Sequence, residues 1–278
     1  EREGWSAEQL QAQIQRVRDA RPTAVNLAWG VDRVRPFVDE GREAVLAEAE
    51  QIVREDTAAN KRLSELGADW ILAKTGKSTL RVLTHCNTGA LATTAWGTAL
   101  GVIRELHKRG ALELVYADET RPLLQGARLT AWELEREGIE YFVQADGAAA
   151  STILRGMVDL AIIGADRIAR NGDSANKIGS VGVALACHAA GIPFMVAAPS
   201  STVDLTTATG DDIEIELRDG AEVTELAGVK IAPVEAQGFN PAFDVTPARY
   251  IAAIVTEQGV VEPQSTPDVS FLVNGEKA

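Results

Sequence analysis

An aspartate, an asparagine and a lysine stand close together in the run Gly164-Ala165-Asp166 to Asn176-Lys177-Ile178-Gly179, directly after the apolar stretch Val158 to Ile163. That stretch has the length and β-branching of a buried strand, and an amphipathic pattern from Ile178 to Ala190 reads as a helix. Asp166 is therefore expected at the C-terminal end of a strand, ahead of a polar, glycine-punctuated loop that opens a helix. Open parallel sheets bind ligands at that edge. The ordinary role for Asp166 is to cap the loop or pair with Arg167 or Arg170. Beside apolar Ile162, Ile163 and Ala165, its carboxyl would instead rise in pKa and suit proton transfer. Lys177 at a helix start opposes the helix dipole, a cost that fits an anion-binding role. Asn176 offers an amide to a sugar hydroxyl.

A second polar cluster, Thr84-His85-Cys86-Asn87-Thr88-Gly89, follows the strand-like run Leu80 to Leu83. Two roles fit Cys86. It is a small buried hydrophobe, or it is a thiolate or anion site favoured by the backbone N–H groups and dipole of a helix starting near Ala90. Cys187, mid-helix between Ala184 and Ala190, reads as packing. Thr75-Gly76-Lys77-Ser78-Thr79 resembles the tail of a phosphate-binding loop, but Ile71 stands where a glycine is needed and a strand follows where a helix should. It reads as a turn. No dinucleotide-binding glycine fingerprint follows any strand, and neither His85, His107 and His188 nor the cysteines have metal-ligand spacing. Neither a cofactor nor a metal is expected.

The elements that must carry these clusters are legible in the periodicity. Ser6 and Gln9 form a capping box for a helix bearing Leu10, Ile14 and Val17. Arg21-Pro22-Thr23 breaks it, a second helix runs from about Val31, and a long one runs from Arg42 to about Leu66, ended by Gly67. From Thr79 the rhythm becomes strand–helix: strands at 80–83, 112–116, 141–143, 160–163 and 194–197, and helices at 90–108, 126–137, 148–154 and from Ile178. This predicts an α/β fold, a Rossmann-like doubly wound parallel sheet over residues 77–278, preceded by a smaller, mainly helical domain over residues 1–76. The boundary is placed between Ala73 and Thr79.

The net charge of -13, from 27 basic and 40 acidic residues, argues against a nucleic-acid partner, which needs a basic face. A small anion needs only a local positive pocket. Two cysteines are too few for a disulfide framework and no apolar run reaches a membrane span, so a cytoplasmic location away from the membrane is expected.

Five segments together resemble the methylthioribose-1-phosphate isomerase family, whose superfamily includes ribose-1,5-bisphosphate isomerases and the regulatory subunits of eukaryotic translation initiation factor 2B. They are Arg21 to Leu27, Thr84 to Gly89, Glu119-Thr120-Arg121-Pro122-Leu123-Leu124-Gln125-Gly126, Gly164-Ala165-Asp166-Arg167-Ile168 with Asn171 to Gly179, and Asn240-Pro241-Ala242-Phe243-Asp244-Val245-Thr246-Pro247. The resemblance implies a cofactor-independent aldose–ketose isomerase of methionine salvage, acting on 5-methylthioribose 1-phosphate, and a homodimer formed through the C-terminal domain. It makes Cys86 and Asp166 the catalytic pair and gives Arg21, Gln125, Asn176 and Lys177 to substrate binding. The family also carries an Arg-Gly-Ala-Pro segment upstream of the match at Arg21. This chain has none, so the helical domain is expected to be incomplete at its start. Two other readings stay open: an isomerase of another sugar phosphate such as ribose 1,5-bisphosphate, and a non-catalytic regulatory subunit.

Overall fold

A computed structural model describes residues 4–275. Helix α1 (Ala7–Arg18) opens on the expected capping box, Ser6 Oγ accepting the Gln9 N–H and the Gln9 side chain accepting the Ser6 N–H. Helices α2 (Val25–Val34) and α3 (Arg42–Thr75) follow. The expected end at Gly67 is corrected: α3 continues to Gly76, which caps it in the left-handed conformation at φ 63°. Gly67 is instead a packing position. A Cβ there would lie 2.8 Å from Val102 Cγ2, and one at Gly101 would lie 2.4 Å from Ser64 Oγ, so the two glycines let α3 approach helix α4 (Ala99–Lys108) closely. Gly76 to Thr79 is the turn between α3 and the first strand, with Lys77 paired to Asp159 at 2.6 Å.

The strands in chain order are β1 (Leu80–Thr84), β2 (Leu112–Asp118), β3 (Tyr141–Gln144), β4 (Leu160–Ile163), β5 (Arg167–Ala169), β6 (Ser174–Lys177) and β7 (Phe194–Ala197). There follow β8 (Val203–Asp204), β9 (Glu225–Leu226), β10 (Val229–Lys230), β11 (Phe243–Thr246), β12 (Ala253–Thr256) and β13 (Gly259–Val261). The main sheet has the order β13-β12-β7-β4-β1-β2-β3 and is parallel except for β13. From β1 the chain winds outward through β2 and β3, and from β4 it winds the other way through β7 and β12. The switch point thus falls between β1 and β4, paired at Val82–Leu160 and Leu83–Ala161. An open α/β sheet binds ligands at this point.

Both faces of the sheet are covered, as the alternation of buried side chains requires. Val82 and Ile162 pack with Leu63, Ile71, Val102 and Leu134 on the side of α3, α4 and α5 (Ala131–Arg136). Leu83 and Ile163 pack with Ile153, Val183 and Cys187 on the side of α6 (Ala149–Leu154) and α7 (Ser180–Ala190). Helix α9 (Phe271–Asn274) joins that second side through Leu272, while α8 (Ala221–Thr224) lies in the irregular segment after β8. The doubly wound parallel sheet expected from the rhythm is therefore the architecture found. No helix among the described residues is long and apolar enough to cross a membrane.

Two expectations about the sheet edge are corrected. Residues 90–98 are not helical; α4 starts only at Ala99, and Asn87 to Thr98 form a folded loop. Glu133 of α5 holds it, its carboxylate accepting the Ala90 N–H (2.8 Å), the Leu91 N–H (3.2 Å) and Asn87 Nδ2 (3.0 Å) while paired to Arg104. Those bonds claim N–H groups that a helix would have used. Second, the run after Asp166 does not lead straight into a helix. It doubles back as the hairpin β5–β6, which with β11 and β8 makes a small four-stranded sheet, and α7 starts at Ser180. Asn176 and Lys177 therefore stand on a strand, paired in register with Asp244 and Phe243 of β11. Lys177 thus ends a strand, and no helix dipole opposes its charge there.

Candidate active site

The C-terminal ends of β1 and β4, the segment before α2, the loop after β2 and the end of β6 surround a cleft of about 620 Å³. Arg21, Cys86, Gln125, Asp166, Asn176 and Lys177 all line it, though they span most of the chain. A larger groove of about 830 Å³ between α1, α2 and α3 is lined by Leu10, Ile14, Val17, Val31, Gln13 and other apolar or basic side chains, with no carboxylate, thiol or imidazole among them. The cleft at the switch point is where titratable groups converge.

Cys86 sits at φ 66°, a left-handed conformation that costs a non-glycine residue on the order of 1 kcal/mol. Two threonines hold it there. Its N–H donates to Thr120 Oγ1 at 2.8 Å, and its carbonyl accepts from Thr130 Oγ1 at 2.6 Å. Thr120 is itself at φ 64°, and its hydroxyl donates to the Asp118 carbonyl at 3.0 Å. With no helix N-terminus at Cys86, the expected stabilisation of a thiolate is missing. Burial pushes the thiol up to about 12, the Asp166 charge adds to this, and the Asn87 N–H and Lys177 oppose it only in part. The resting group is the neutral thiol.

Asp166 has a regular backbone, its N–H donating to the Ala175 carbonyl (2.8 Å) and its carbonyl accepting from Val25 (3.1 Å). The arginines beside it in sequence face elsewhere: Arg167 pairs with Asp204 at 2.6 Å, and Arg170 donates to the Leu205 carbonyl. Burial pushes the Asp166 carboxyl up to about 6, against the pull of Lys177 and Arg21 and with a push from Glu216.

The cationic half of the cleft is built around Phe243. Lys177 Nζ lies 4.0 Å from the ring centroid and donates to the Ala242 carbonyl at 2.9 Å, and burial pulls its pKa down. The Arg21 guanidinium is 5.8 Å from the same ring, with Nε on Glu216 at 2.9 Å. Thr23 fixes this arrangement by donating to the Glu214 carbonyl (2.6 Å) and accepting the Glu216 N–H (3.0 Å). Asn176 Nδ2 donates to Ser180 Oγ at 2.9 Å. Gln125 Oε1 is buried without a hydrogen-bond partner. The next residue must be glycine, since a Cβ at Gly126 would fall 1.7 Å from the Asp118 carbonyl oxygen.

Three lining residues were not singled out from the sequence. Asn87 lies within the cysteine cluster, and its buried Oδ1 has no partner while its amide nitrogen is held by Thr130 and Glu133. Phe243 stood in a quoted segment without a role. Arg218, 3.7 Å from Glu216 and paired with Glu222 at 2.6 Å, comes from a stretch with no periodicity to mark it.

His85, Asp118 and Asp146 bring ligand-type atoms within 4.8 Å of one another. All are already engaged. The imidazole spans Asp118 Oδ2 (2.9 Å) and the Ile178 carbonyl (2.8 Å), and the Asp146 carboxylate accepts the N–H groups of Thr120 and Arg121. The cluster is a hydrogen-bond junction beneath the cleft rather than an open set of metal ligands.

The profile of the initiation factor 2 subunit family matches residues 5–263. A methylthioribose-1-phosphate isomerase from Alkalilimnicola ehrlichii is 51% identical over 275 residues, covering 98% of this chain and 78% of its own. A probable bifunctional methylthioribose-1-phosphate isomerase/methylthioribulose-1-phosphate dehydratase from Nocardia farcinica is 55% identical over 252 residues; this chain spans 91% of itself but about half, 46%, of that longer protein. Among solved structures, 5-methylthioribose 1-phosphate isomerase from Pyrococcus horikoshii OT3 superposes with a TM-score of 0.85 at 41% identity, over 97% of this chain and 76% of that one. The translation initiation factor eIF-2B subunit delta from A. fulgidus superposes with a TM-score of 0.80 at 38% identity, over 98% and 82%. The chain belongs to the initiation factor 2 subunit family, and within it to the methylthioribose-1-phosphate isomerases.

Proposed function

We propose that this protein converts 5-methylthioribose 1-phosphate to 5-methylthioribulose 1-phosphate, with Asp166 as the general acid and Cys86 as its proton-handling partner. One observation carries the reading: a desolvated carboxyl and a desolvated thiol open into one cleft from the two strands flanking the switch point, beside a group of cations. Names borne by relatives 51% and 41% identical point to the same substrate.

Phosphorylation at C1 locks the anomeric carbon, so the ring must open with a proton delivered to its oxygen. Arg21 and Lys177 take the phosphate, joined by Arg218, with Gln125 and Asn176 on the sugar hydroxyls. The phosphate cancels the two cations that hold the Asp166 carboxyl down, so binding drives Asp166 to its protonated form. Asp166 then protonates the ring oxygen as the C1–oxygen bond breaks, and its carboxylate removes the proton from C2. The thiol of Cys86 protonates C1 and recovers a proton from the C2 hydroxyl, leaving a ketone at C2 and both groups restored. A hydride shift from C2 to C1 would bypass the cysteine. Reaction in deuterated water separates the two: deuterium at C1 supports the thiol route, and its absence supports the shift.

Trp29, Ile52 and Leu123 give the cleft an apolar wall that suits a methylthio group, whereas a second phosphate would call for a second cationic cluster. The protein is further proposed to act as a cytoplasmic homodimer, the exposed Val229, Val234 and Phe239 of the C-terminal region being surface for a partner copy. The test of function is turnover of the sugar phosphate by the wild type and by folded Cys86→Ser and Asp166→Asn. Loss in both variants supports the assignment. Full activity in both sinks it, and a wild type that binds without turnover would favour the regulatory reading.

A further inference from the structure

A line of side-chain hydrogen bonds crosses beneath the cleft. Thr152 of α6 donates to Gln144 Oε1 (2.7 Å), Gln144 Nε2 donates to Asp118 Oδ1 (2.8 Å), Asp118 Oδ2 meets His85 Nδ1 (2.9 Å), and His85 Nε2 meets the Ile178 carbonyl (2.8 Å). It runs along the ends of β3, β2 and β1 and lands on the turn after β6. Its direction is fixed at the Ile178 end: a carbonyl only accepts, so His85 Nε2 carries a proton, while at the far end Asp118 Oδ1 accepts from the Gln144 amide. His85 and Asp118 are each 1% exposed, so these bonds are shielded from bulk water.

The turn is shaped around the imidazole. Gly179 sits at φ 107°, and a Cβ there would lie 2.7 Å from His85 Cε1. On the other side of the turn, the Asp244 carboxylate accepts the Gly179 N–H at 2.8 Å and the Val181 N–H at 3.2 Å. His85 is the residue before Cys86, and Ile178 is the residue after Lys177. Among the described residues, the imidazole is thus a direct side-chain link from the strand end that carries the thiol to the strand end that carries the buried ammonium.

We propose that His85 is a positioning residue: its imidazole ties the end of β1 to the turn after β6 and sets the distance between the proton-handling and anion-holding halves of the cleft. What matters for the tie is the donor to Ile178, and Asp118 serves to orient the ring. For its kinetic arm the proposal rests on the isomerase reading.

Two variants at one position separate a tie from mere filling of space. His85→Phe keeps the ring volume and removes the donor. His85→Gln loses the ring but offers an amide N–H to Ile178. Turnover and KM are measured on 5-methylthioribose 1-phosphate, and Cys86 alkylation by iodoacetamide is timed on the same proteins without substrate; Cys187 is fully buried in α7, so the label reports Cys86. The expected result is a KM raised at least tenfold in the Phe variant and within about threefold of wild type in the Gln variant, with alkylation severalfold faster in the Phe variant only. Equal KM values and equal alkylation rates in the two variants would overturn the proposal. Where His85→Phe does not fold, Asp118→Asn carries the test, since it keeps an orienting bond to the ring and is expected within threefold of wild type; a tenfold loss there would assign the role to charge rather than to the tie. If the wild type does not turn over this sugar phosphate the isomerase reading fails, while the alkylation order still decides the tie.

Discussion

The end of β1 and the end of β4 lie side by side at the switch point and solve the same problem differently. Each presents a titratable group to the cleft, and burial pushes each pKa upward, Cys86 to about 12 and Asp166 to about 6. At β1 the backbone is bent into a left-handed conformation and pinned by Thr120 and Thr130, and the nearby charges of Asp166 and Lys177 oppose one another at the thiol. At β4 the backbone is ordinary, bonded to Ala175 and Val25, and cations gather around the carboxyl. The difference shows that desolvation without a net cationic pull leaves a neutral group. The cations beside Asp166 bring it back to within a unit of neutral pH, where binding an anion can switch it.

The largest effect expected from breaking that contrast is at Asp166. Asp166→Asn should lower turnover by about 10²–10⁴-fold, the contribution of a general acid, read as kcat in a folded variant. The same change should stabilise the protein at pH 7 by about 1–3 kcal/mol. The sign follows from the folded pKa of about 6 lying above the ordinary 3.8. The unfolded chain releases this proton more readily, so wild-type stability falls as pH rises from about 4 to about 6 and stays reduced above. The gain in denaturant midpoint should therefore be present at pH 7 and gone near pH 4.

At β1, Cys86→Gly relieves the positive φ and removes the thiol. We expect stability to rise by about 1 kcal/mol while turnover falls about a hundredfold or more. Its counterpart, Cys187→Ala, also removes a thiol held up near 12 by burial, but one packed in α7 with no access to the cleft. That variant should lose about 1–2 kcal/mol to the cavity and keep wild-type kcat and KM. Equal behaviour of the two cysteine variants in urea would erase the distinction drawn between strain and packing.

Lys177→Met should act on binding rather than on chemistry, raising KM roughly 10–100-fold, the worth of a charge-assisted hydrogen bond. It should also raise the Asp166 pKa, since Lys177 is the leading influence holding that carboxyl down. Arg21→Met should do less, because its guanidinium is 38% exposed and already shared with Glu216.

The placement of Cys86 and Asp166 at one sheet edge was legible in the sequence because each follows a short apolar run whose burial dictates a strand, whereas their pairing came only from the family resemblance. What surrounds them was less so. The segment after Cys86 has a helix-compatible composition, yet Glu133, more than forty residues away, takes its N–H groups and folds it into a loop. Lys177 reads as a helix start until β11, some sixty-five residues on, pairs with it. Arg218 left no signal, since its segment is held by Thr23 from the far end of the chain rather than by any local pattern. Gly67 announced a helix end and turned out to be the contact point of two helices. In each case a long-range bond or packing contact decided what the local sequence did not.

The most direct test of the account is the titration of the Asp166 carboxyl itself, followed by NMR with isotope-labelled aspartate and assigned with Asp166→Asn, in the free protein and with inorganic phosphate in the cleft. We expect a midpoint about two units above the ordinary aspartate value in the free protein and a further rise when phosphate occupies Arg21 and Lys177. A carboxyl that titrates near 4 in both states would contradict it.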